Sequence, residues 1–329
     1  MESLTKNKQS RKTIEEMVSR SFQGCELAKD VDAVSEMKEG WFNVAYKVKL
    51  SDGRDTVLKI APPVVAEIMT YEKNIMKTEA NMMKLVGELT DVKVPFVYYY
   101  DDKRDICDSD YFFMELLTGD NYGNVKGELP EEVQKKIDFE IGCNVRKINN
   151  IPGKDYFGYE GNVDLRGATW KEAFLKMMVA LLEDGKRKEI KLNYSYDMLR
   201  SIIFEYELYL EEVNEPRLVH WDLWDSNVFV KEGKVIGLLD FERALWGDPL
   251  MEAHFRTMEP EKLHGYGKWK FTKGEEIRCK LYDIYLSLIM IIESFYRKYD
   301  TDDAYNYGCE NLSKAVDWLM MENKSKRKY

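Results

Sequence analysis

Histidine, proline and paired cysteine are all scarce in this 329-residue chain, which has three His, eight Pro and five Cys. The cysteines, Cys25, Cys107, Cys143, Cys279 and Cys309, are odd in number and none lies in a Cys-x-x-Cys pair. That excludes a disulfide framework or zinc ribbon and implies reduced, packed thiols. His220, His254 and His264 are too dispersed for a metal cage. The longest apolar run, Ile284 to Ile292, is about half of the ~20 residues that a bilayer requires. The opening segment, Met1-Glu2-Ser3-Leu4-Thr5-Lys6-Asn7-Lys8, has no apolar signal region. A cytoplasmic protein with no membrane partner is therefore expected. Positive charge is short as well: the formal net charge is −10. Nucleic acid is thereby disfavoured as a partner, because phosphate backbones are bound by clustered Lys and Arg.

Apolar residues are plentiful at 44%, with 33% charged and 13% aromatic, so disorder, collagen and coiled coil are excluded. The length suits one two-lobed domain or two small ones with a real core. The acid is uneven, since Ser201 to Leu250 holds eleven Asp or Glu against four Lys or Arg. This is either a solvated acidic surface or a site that attracts cations and metal-bound ligands.

Periodicity organises the chain. Residues 1–12 are polar and expected to fray. Ile14, Met17, Val18 and Phe22 recur at helical spacing. From Val44 to Leu50 apolar positions alternate, Ser51-Asp52-Gly53-Arg54 supplies a turn, and Thr56–Ile60 reads as a second strand. A long helix is expected from about Val64 to Val86, then strands at Phe96–Tyr100 and Tyr111–Leu116 and a hinge near Thr118-Gly119-Asp120-Asn121. Beyond Tyr122 the pattern turns helical, with helices beginning near Glu128 and spanning Trp170–Asp184 and Tyr196–Val213. A short strand at Leu218–His220 and a tight hairpin, Val228–Val230 with Lys234–Ile236, precede a mainly helical remainder.

Chemistry concentrates in Val219-His220-Trp221-Asp222-Leu223-Trp224-Asp225-Ser226-Asn227, followed after the hairpin by Asp240-Phe241-Glu242. Phosphoryl transfer requires a carboxylate beside the attacking hydroxyl, hard oxygen ligands for magnesium, and a cation on the phosphates. Asp222 suits the first role and Asn227 with Asp240 the second, since the hairpin would fold Asp240 back beside Asn227. Without such a role, these acids would cap turns and His220 would be a core histidine. Lys59 stands among apolar residues in Val57-Leu58-Lys59-Ile60, where an ammonium is costly unless it reaches a partner or the strand edge. Glu72 and Glu79, seven apart and on nearly one helical face, both qualify as that partner.

The order Lys59, Glu79, His220-x-Asp222-x-x-x-x-Asn227, Asp240 resembles the protein-kinase-like fold, and within it the aminoglycoside phosphotransferase and choline-kinase-like group. Gly247-Asp248-Pro249 fits that group, whereas Asp240-Phe241-Glu242 lacks the glycine of the protein-kinase triplet and no Ala-Pro-Glu marker follows. The resemblance runs from about Trp41 to Phe255. It implies an α+β fold with a small antiparallel N-terminal lobe bearing one long helix (residues 1–116) and a larger, mainly helical C-terminal lobe (residues 117–329). It selects Glu79 over Glu72 as the partner of Lys59. It further implies that Asp222 orients and deprotonates a hydroxyl, that Asn227 and Asp240 hold Mg2+, and that Lys59 grips the α- and β-phosphates of ATP. Backbone groups of Glu115 and Leu117 beside Met114 would meet adenine, and Phe229 and Leu239 would floor it. The segment from Asp155 to Gly185 resembles the helical insert with which this group builds its acceptor site, although Met177, Met178, Leu181 and Leu182 read as core.

One loop and three single positions depart from the group. Gly40-Trp41-Phe42-Asn43-Val44 is not a Gly-x-Gly-x-x-Gly loop, Trp221 and Ser226 replace smaller residues, and Glu252 replaces the Asp usual after Gly-Asp-Pro. Trp221 would either shape the acceptor pocket or pack in the core. The expected function is a magnesium- and ATP-dependent kinase acting on a hydroxyl of a small molecule, an aminoglycoside or other cationic, amino-sugar-like compound. The alternative is a kinase-shaped ATP-binding protein that acts through partners without phosphoryl transfer.

Overall fold

Alternation shapes the first half of the chain. In Val44–Lys49 the side chains of Val44, Tyr46 and Val48 are buried while Ala45, Lys47 and Lys49 are not, as for a strand with one face on a core. The Asp52 carboxylate accepts from the Arg54 amide at 3.0 Å and Gly53 takes φ +91°, so the chain turns into Asp55–Ile60. Ala45 is thereby registered with Lys59, and Val44 with Ile60. The computed structural model, which describes residues 6–37, 42–299 and 301–326, places five antiparallel strands side by side. Their order is Val34–Met37, Val44–Lys49, Asp55–Ile60, Tyr111–Glu115 and Val97–Asp101. The helix Arg11–Ser21, capped by Ser10, lays Ile14, Met17 and Val18 on the core with Val44, Val48, Leu58 and Phe113.

The chain divides into two units. Unit 1 comprises Met1–Glu67, Asn74–Gly127 and Asp225–Glu242, and unit 2 comprises Ile68–Lys73, Glu128–Trp224 and Arg243–Tyr329. Residues 117–127 and the hairpin Val228–Lys231 with Lys234–Leu238 thus pack within unit 1, and 68–73 within unit 2.

The long helix starts later than its periodicity suggests, spanning Ile75–Leu89 rather than 64–86. Glu72 closes the turn before it by accepting from the Met69 amide at 2.7 Å, and Asn74 adopts a left-handed conformation at φ +54°. A residue in that conformation cannot lie within a right-handed helix, so Asn74 caps the helix and Ile75 begins it. Similarly, the helix from Tyr196 ends at Glu205 and continues as a 3-10 segment, Glu207–Glu212, where one helix to Val213 is expected.

Unit 2 is mainly helical. The helices Trp170–Arg187, Lys273–Arg297 and Asp303–Lys326 contribute to its core, with Trp170, Phe174, Tyr282 and Tyr285 at the centre. A four-stranded antiparallel sheet runs in the order Arg166–Gly167, Phe157–Tyr159, Leu245–Gly247, Arg217–Val219. Gly247 has no side chain because a Cβ there would lie 2.6 Å from the Trp170 ring and 2.7 Å from Leu245. Next to it, Asp248 is buried and accepts from Arg278 Nε at 2.8 Å and Tyr282 Oη at 2.7 Å. Met177, Met178, Leu181 and Leu182 of the expected insert lie in this core. Among the described residues, no helix is long and apolar enough to cross a membrane.

Candidate active site

Period two puts Lys59 on the sheet face opposite Leu58 and Ile60, toward the helix that carries Glu79. Lys59 Nζ lies 2.7 Å from both carboxylate oxygens of Glu79 and 3.2 Å from Asp240 Oδ1. Burial opposes the Lys59 ammonium, but Asp240 and Glu79 outweigh it and hold its pKa above the ordinary lysine value. Burial pushes the Glu79 carboxyl up, to about 7, against the pull of Lys59. Glu72, the other candidate partner, lies in unit 2, where it receives Arg297 at 2.5 Å.

Glu242, two residues beyond Asp240, joins this cluster. Glu79, Asp240 and Glu242 each offer a carboxylate oxygen within 4.8 Å of the others. Glu242 also accepts from Asn43 Nδ2 at 2.9 Å, a bond between two buried side chains. The hairpin brings Asn227 to the same unit: the Leu239 amide donates to the Asn227 carbonyl at 2.9 Å, directly before Asp240. Asp240 sits at φ +65°, a left-handed conformation that is uncommon for a non-glycine residue and that Asp adopts more readily than most. Carboxylate oxygens are hard donors of the kind that magnesium takes, and Glu79, Asp240 and Glu242 make such a set, with Glu79 and Asp240 also engaged by Lys59.

The residues implied for adenine also belong to unit 1. Met114 and Glu115 end the strand registered against Val57 and Thr56. The Glu115 amide donates to the Phe96 carbonyl at 2.8 Å, so a hydrogen bond from this residue to a base falls to its carbonyl. Leu117 packs over Gly237, where a Cβ would meet its Cδ1 at 2.2 Å. Phe229 is registered opposite Gly237, and Phe229 and Leu239 are half-buried. Of the expected phosphate loop, Gly40 and Trp41 lie outside the described residues.

Asp222 belongs to unit 2, in a loop held by backbone bonds. Glu252 accepts from the amides of His220 and Trp221, both at 2.9 Å, and from Asn149 Nδ2 at 2.8 Å. Arg256 donates to the Trp221 carbonyl at 3.1 Å. Both sides of Trp221 are thereby fixed at φ +61°, a conformation that costs about 1–3 kcal/mol for a non-glycine residue. The Trp221 ring is 1% exposed and meets Tyr285 edge-on, so this residue is core. The Asp222 carboxylate accepts from Trp224 Nε1 at 2.8 Å and forms an ion pair with Arg243 Nε at 3.3 Å.

From Arg243 a buried chain of alternating charge continues. Arg243 donates to Glu293 at 3.0 Å, Glu293 pairs with Arg297, and Arg297 reaches Glu72. Burial acts against the Glu293 carboxylate, yet Arg243 and Arg297 hold it below the usual glutamate range. Arg243, Glu293, Trp224, Glu242 and Asn43 are absent from the sequence-derived site. Position in the chain could have found four of them: Glu242 and Arg243 closely follow Asp240, Trp224 lies between Asp222 and Asn227, and Asn43 lies in the Gly40–Val44 loop.

A family model described as the phosphotransferase enzyme family matches residues 33–254. Comparison with curated proteins yields no match. Among solved structures, a fructosamine-3-kinase candidate from Thermobifida fusca YX-ER1 superposes with a TM-score of 0.68 at 15% identity, covering 94% of this chain and 100% of that one. The streptomycin–ATP complex of APH(2")-IIa gives a TM-score of 0.60 at 16% identity, covering 95% and 97%. Aminoglycoside phosphotransferase APH(4)-Ia with AMP-PNP and hygromycin B gives 0.62 at 15%, covering 93% and 98%. At such identities the likeness is one of fold, and the fold is α+β and protein-kinase-like.

Proposed function

The chain belongs to the phosphotransferase enzyme family as a small-molecule kinase, and we propose that it moves the γ-phosphoryl group of ATP to a hydroxyl of its acceptor. The observation that carries this reading is Lys59 held between Glu79 and Asp240 at 2.7 and 3.2 Å. A buried ammonium so clamped is aimed where nucleotide phosphates would lie, and positioning with charge neutralisation is most of what phosphoryl transfer requires.

In this reading Lys59 holds the α- and β-phosphates, and Asn227 and Asp240 hold Mg2+, which supplies neutralisation of phosphate charge. Adenine is met by backbone groups of Glu115 and Leu117 beside Met114, over Phe229 and Leu239. Asp222 orients the acceptor hydroxyl and takes its proton as the new O–P bond forms and the bond to the ADP leaving oxygen breaks. Trp224 and Arg243 fix its two carboxylate oxygens. The acceptor proposed is a cationic, amino-sugar-like compound. Supporting that class are the streptomycin and hygromycin B complexes of structurally similar proteins. The cytoplasm, where ATP is available, is the proposed compartment.

A coupled ADP-release assay with Mg-ATP and a panel of aminoglycosides, macrolides, choline, homoserine and methylthioribose tests this. Acceptor-dependent ADP release that disappears in Asp222→Ala is expected. ATP binding without release on any acceptor would favour the non-transferring alternative.

A further inference from the structure

Residues 6–10, directly before the first helix, are pinned rather than frayed. Asn7 Nδ2 donates to Asp108 Oδ1 at 2.9 Å and to Ser109 Oγ at 2.8 Å. Lys8 pairs with Glu36 at 3.0 Å, and the Gln9 amide donates to Tyr46 Oη at 3.0 Å. Residues 7–9 therefore span three parts of unit 1: the loop before Tyr111–Glu115 and the strands of Glu36 and Tyr46. This strap delivers Lys6, whose Nζ donates to the Asn43 carbonyl at 2.6 Å.

Asn43 is where the strap meets the candidate site. It is 4% exposed and binds Glu242 through its side chain, and the strand that begins at the next residue registers Ala45 against Lys59. One residue therefore joins the Lys6 ammonium, through its carbonyl, to the carboxylate cluster of Glu79, Asp240 and Glu242, through its amide. Burial lowers the Lys6 pKa, and the positive charges of Lys8 and Lys59 lower it further, with only Glu36 opposing. Lys6 and Lys59 are thus close enough to repel, an arrangement that an anion brought to both would relieve. Between Gly40 and Val44 the chain also lacks the Gly-x-Gly-x-x-Gly pattern by which a loop would cover phosphates.

We infer that Lys6, carried by the strap of residues 6–10, is a second phosphate-binding cation of the nucleotide site, acting with Lys59. The inference rests on the proposed ATP-dependent function and extends it. It assigns to an amino-terminal side chain part of the phosphate contact that a glycine-rich loop would make through its amides.

The test is a binding titration of the full-length protein with Mg-ATP, Mg-ADP and adenosine, without acceptor, in the parent chain and in Lys6→Gln, Lys6→Arg and Asn7→Ala. Lys6→Gln is expected to weaken ATP about tenfold, one lost charged contact, to weaken ADP less and to leave adenosine unchanged. Lys6→Arg should keep most of the ATP affinity, and Asn7→Ala, which frees the strap, should move in the direction of Lys6→Gln. Parental ATP affinity in Lys6→Gln would overturn the inference. So would equal losses of ATP and adenosine together with a lowered thermal midpoint, the mark of a structural role. A parent chain that binds neither ATP nor ADP would instead overturn the nucleotide reading itself.

Discussion

Arg243 lies 3.3 Å from the Asp222 carboxylate and 3.0 Å from that of Glu293, so one buried guanidinium serves two acids. It follows Glu242 directly in the chain but belongs to unit 2 with both partners. Asp222 is therefore fixed in place by a charge that is itself neutralised from behind, through Glu293 to Arg297 and Glu72. An acid held this way is preorganised for the proton transfer proposed for it.

Arg243→Ala removes the link and leaves Glu293 buried with one cation fewer. Breaking a buried pair from one side costs about 3–5 kcal/mol, and loss of a positioned proton acceptor about a hundredfold in rate. The expected variant unfolds at lower temperature and has kcat reduced by about that factor. Glu293→Gln should share the stability loss with a smaller effect on kcat. Parental kcat in a folded Arg243→Ala would show that the ion pair has no part in turnover.

Trp224→Phe keeps an aromatic ring but removes the pyrrole portion and with it the Nε1 donor that holds Asp222 Oδ1 at 2.8 Å. A net hydrogen bond of about 1 kcal/mol corresponds to roughly fivefold. Steady-state kinetics should show kcat lowered by that much with the KM for ATP unchanged. A changed KM alone would place Trp224 in binding rather than in alignment.

Acid sensitivity should originate partly at His254. Burial, with Lys262 and Arg256 nearby, lowers its pKa from 6.5 to about 3, and its Nε2 has no partner among the described residues. The unfolded chain therefore binds a proton below pH 6.5 that the folded chain refuses until about pH 3. Stability contributed by this group is intact above pH 6.5 and falls as pH drops between those values, by up to about 1.4 kcal/mol per pH unit. Urea unfolding at pH 7.5 and pH 5.5 should show a shallower pH slope for His254→Gln than for the parent. Equal slopes would mean that His254 is protonated in the folded chain.

Gly247→Ala introduces a methyl 2.6 Å from a Trp170 ring that is fully buried and hydrogen-bonded to Tyr282 at 2.8 Å. Overpacking of this kind costs about 1–3 kcal/mol. Calorimetry should register a thermal midpoint several degrees lower, and an unchanged midpoint would mean that Trp170 moves freely.

Much of unit 1 could be read from sequence because its signals are local. Alternation around Val44–Lys49 and Thr56–Ile60 marks the first hairpin, and Lys231-Glu232-Gly233 between Val228–Val230 and Lys234–Ile236 marks the second. The helix of Glu79 starts later than its periodicity suggests because Glu72, in helical register with Glu79, is drawn into unit 2 by Arg297, 225 residues away. The acidic window from Ser201 to Leu250 misled for a similar reason. Several of its acids are engaged by partners far along the chain: Asp248 by Arg278, Glu242 by Asn43, and Asp222 by Arg243. Such pairs leave no periodic trace, so a buried charge looks like a solvated one until its partner is located. Glu252, a substitution of unknown consequence in sequence, reaches two backbone amides of the Asp222 loop. The fraying expected of residues 1–12 fails at Asn7 and Gln9, whose partners lie on strands and loops that no local pattern connects to them.

Phosphorus-31 NMR of the protein with Mg-ATP and an accepted compound is the most direct measurement of the central claim. Loss of the ATP γ-resonance matched one-for-one by a new phosphomonoester resonance on the acceptor, absent with Asp222→Ala, is the predicted result. Release of inorganic phosphate alone, or a phosphomonoester formed at the parental rate by Asp222→Ala, would contradict it.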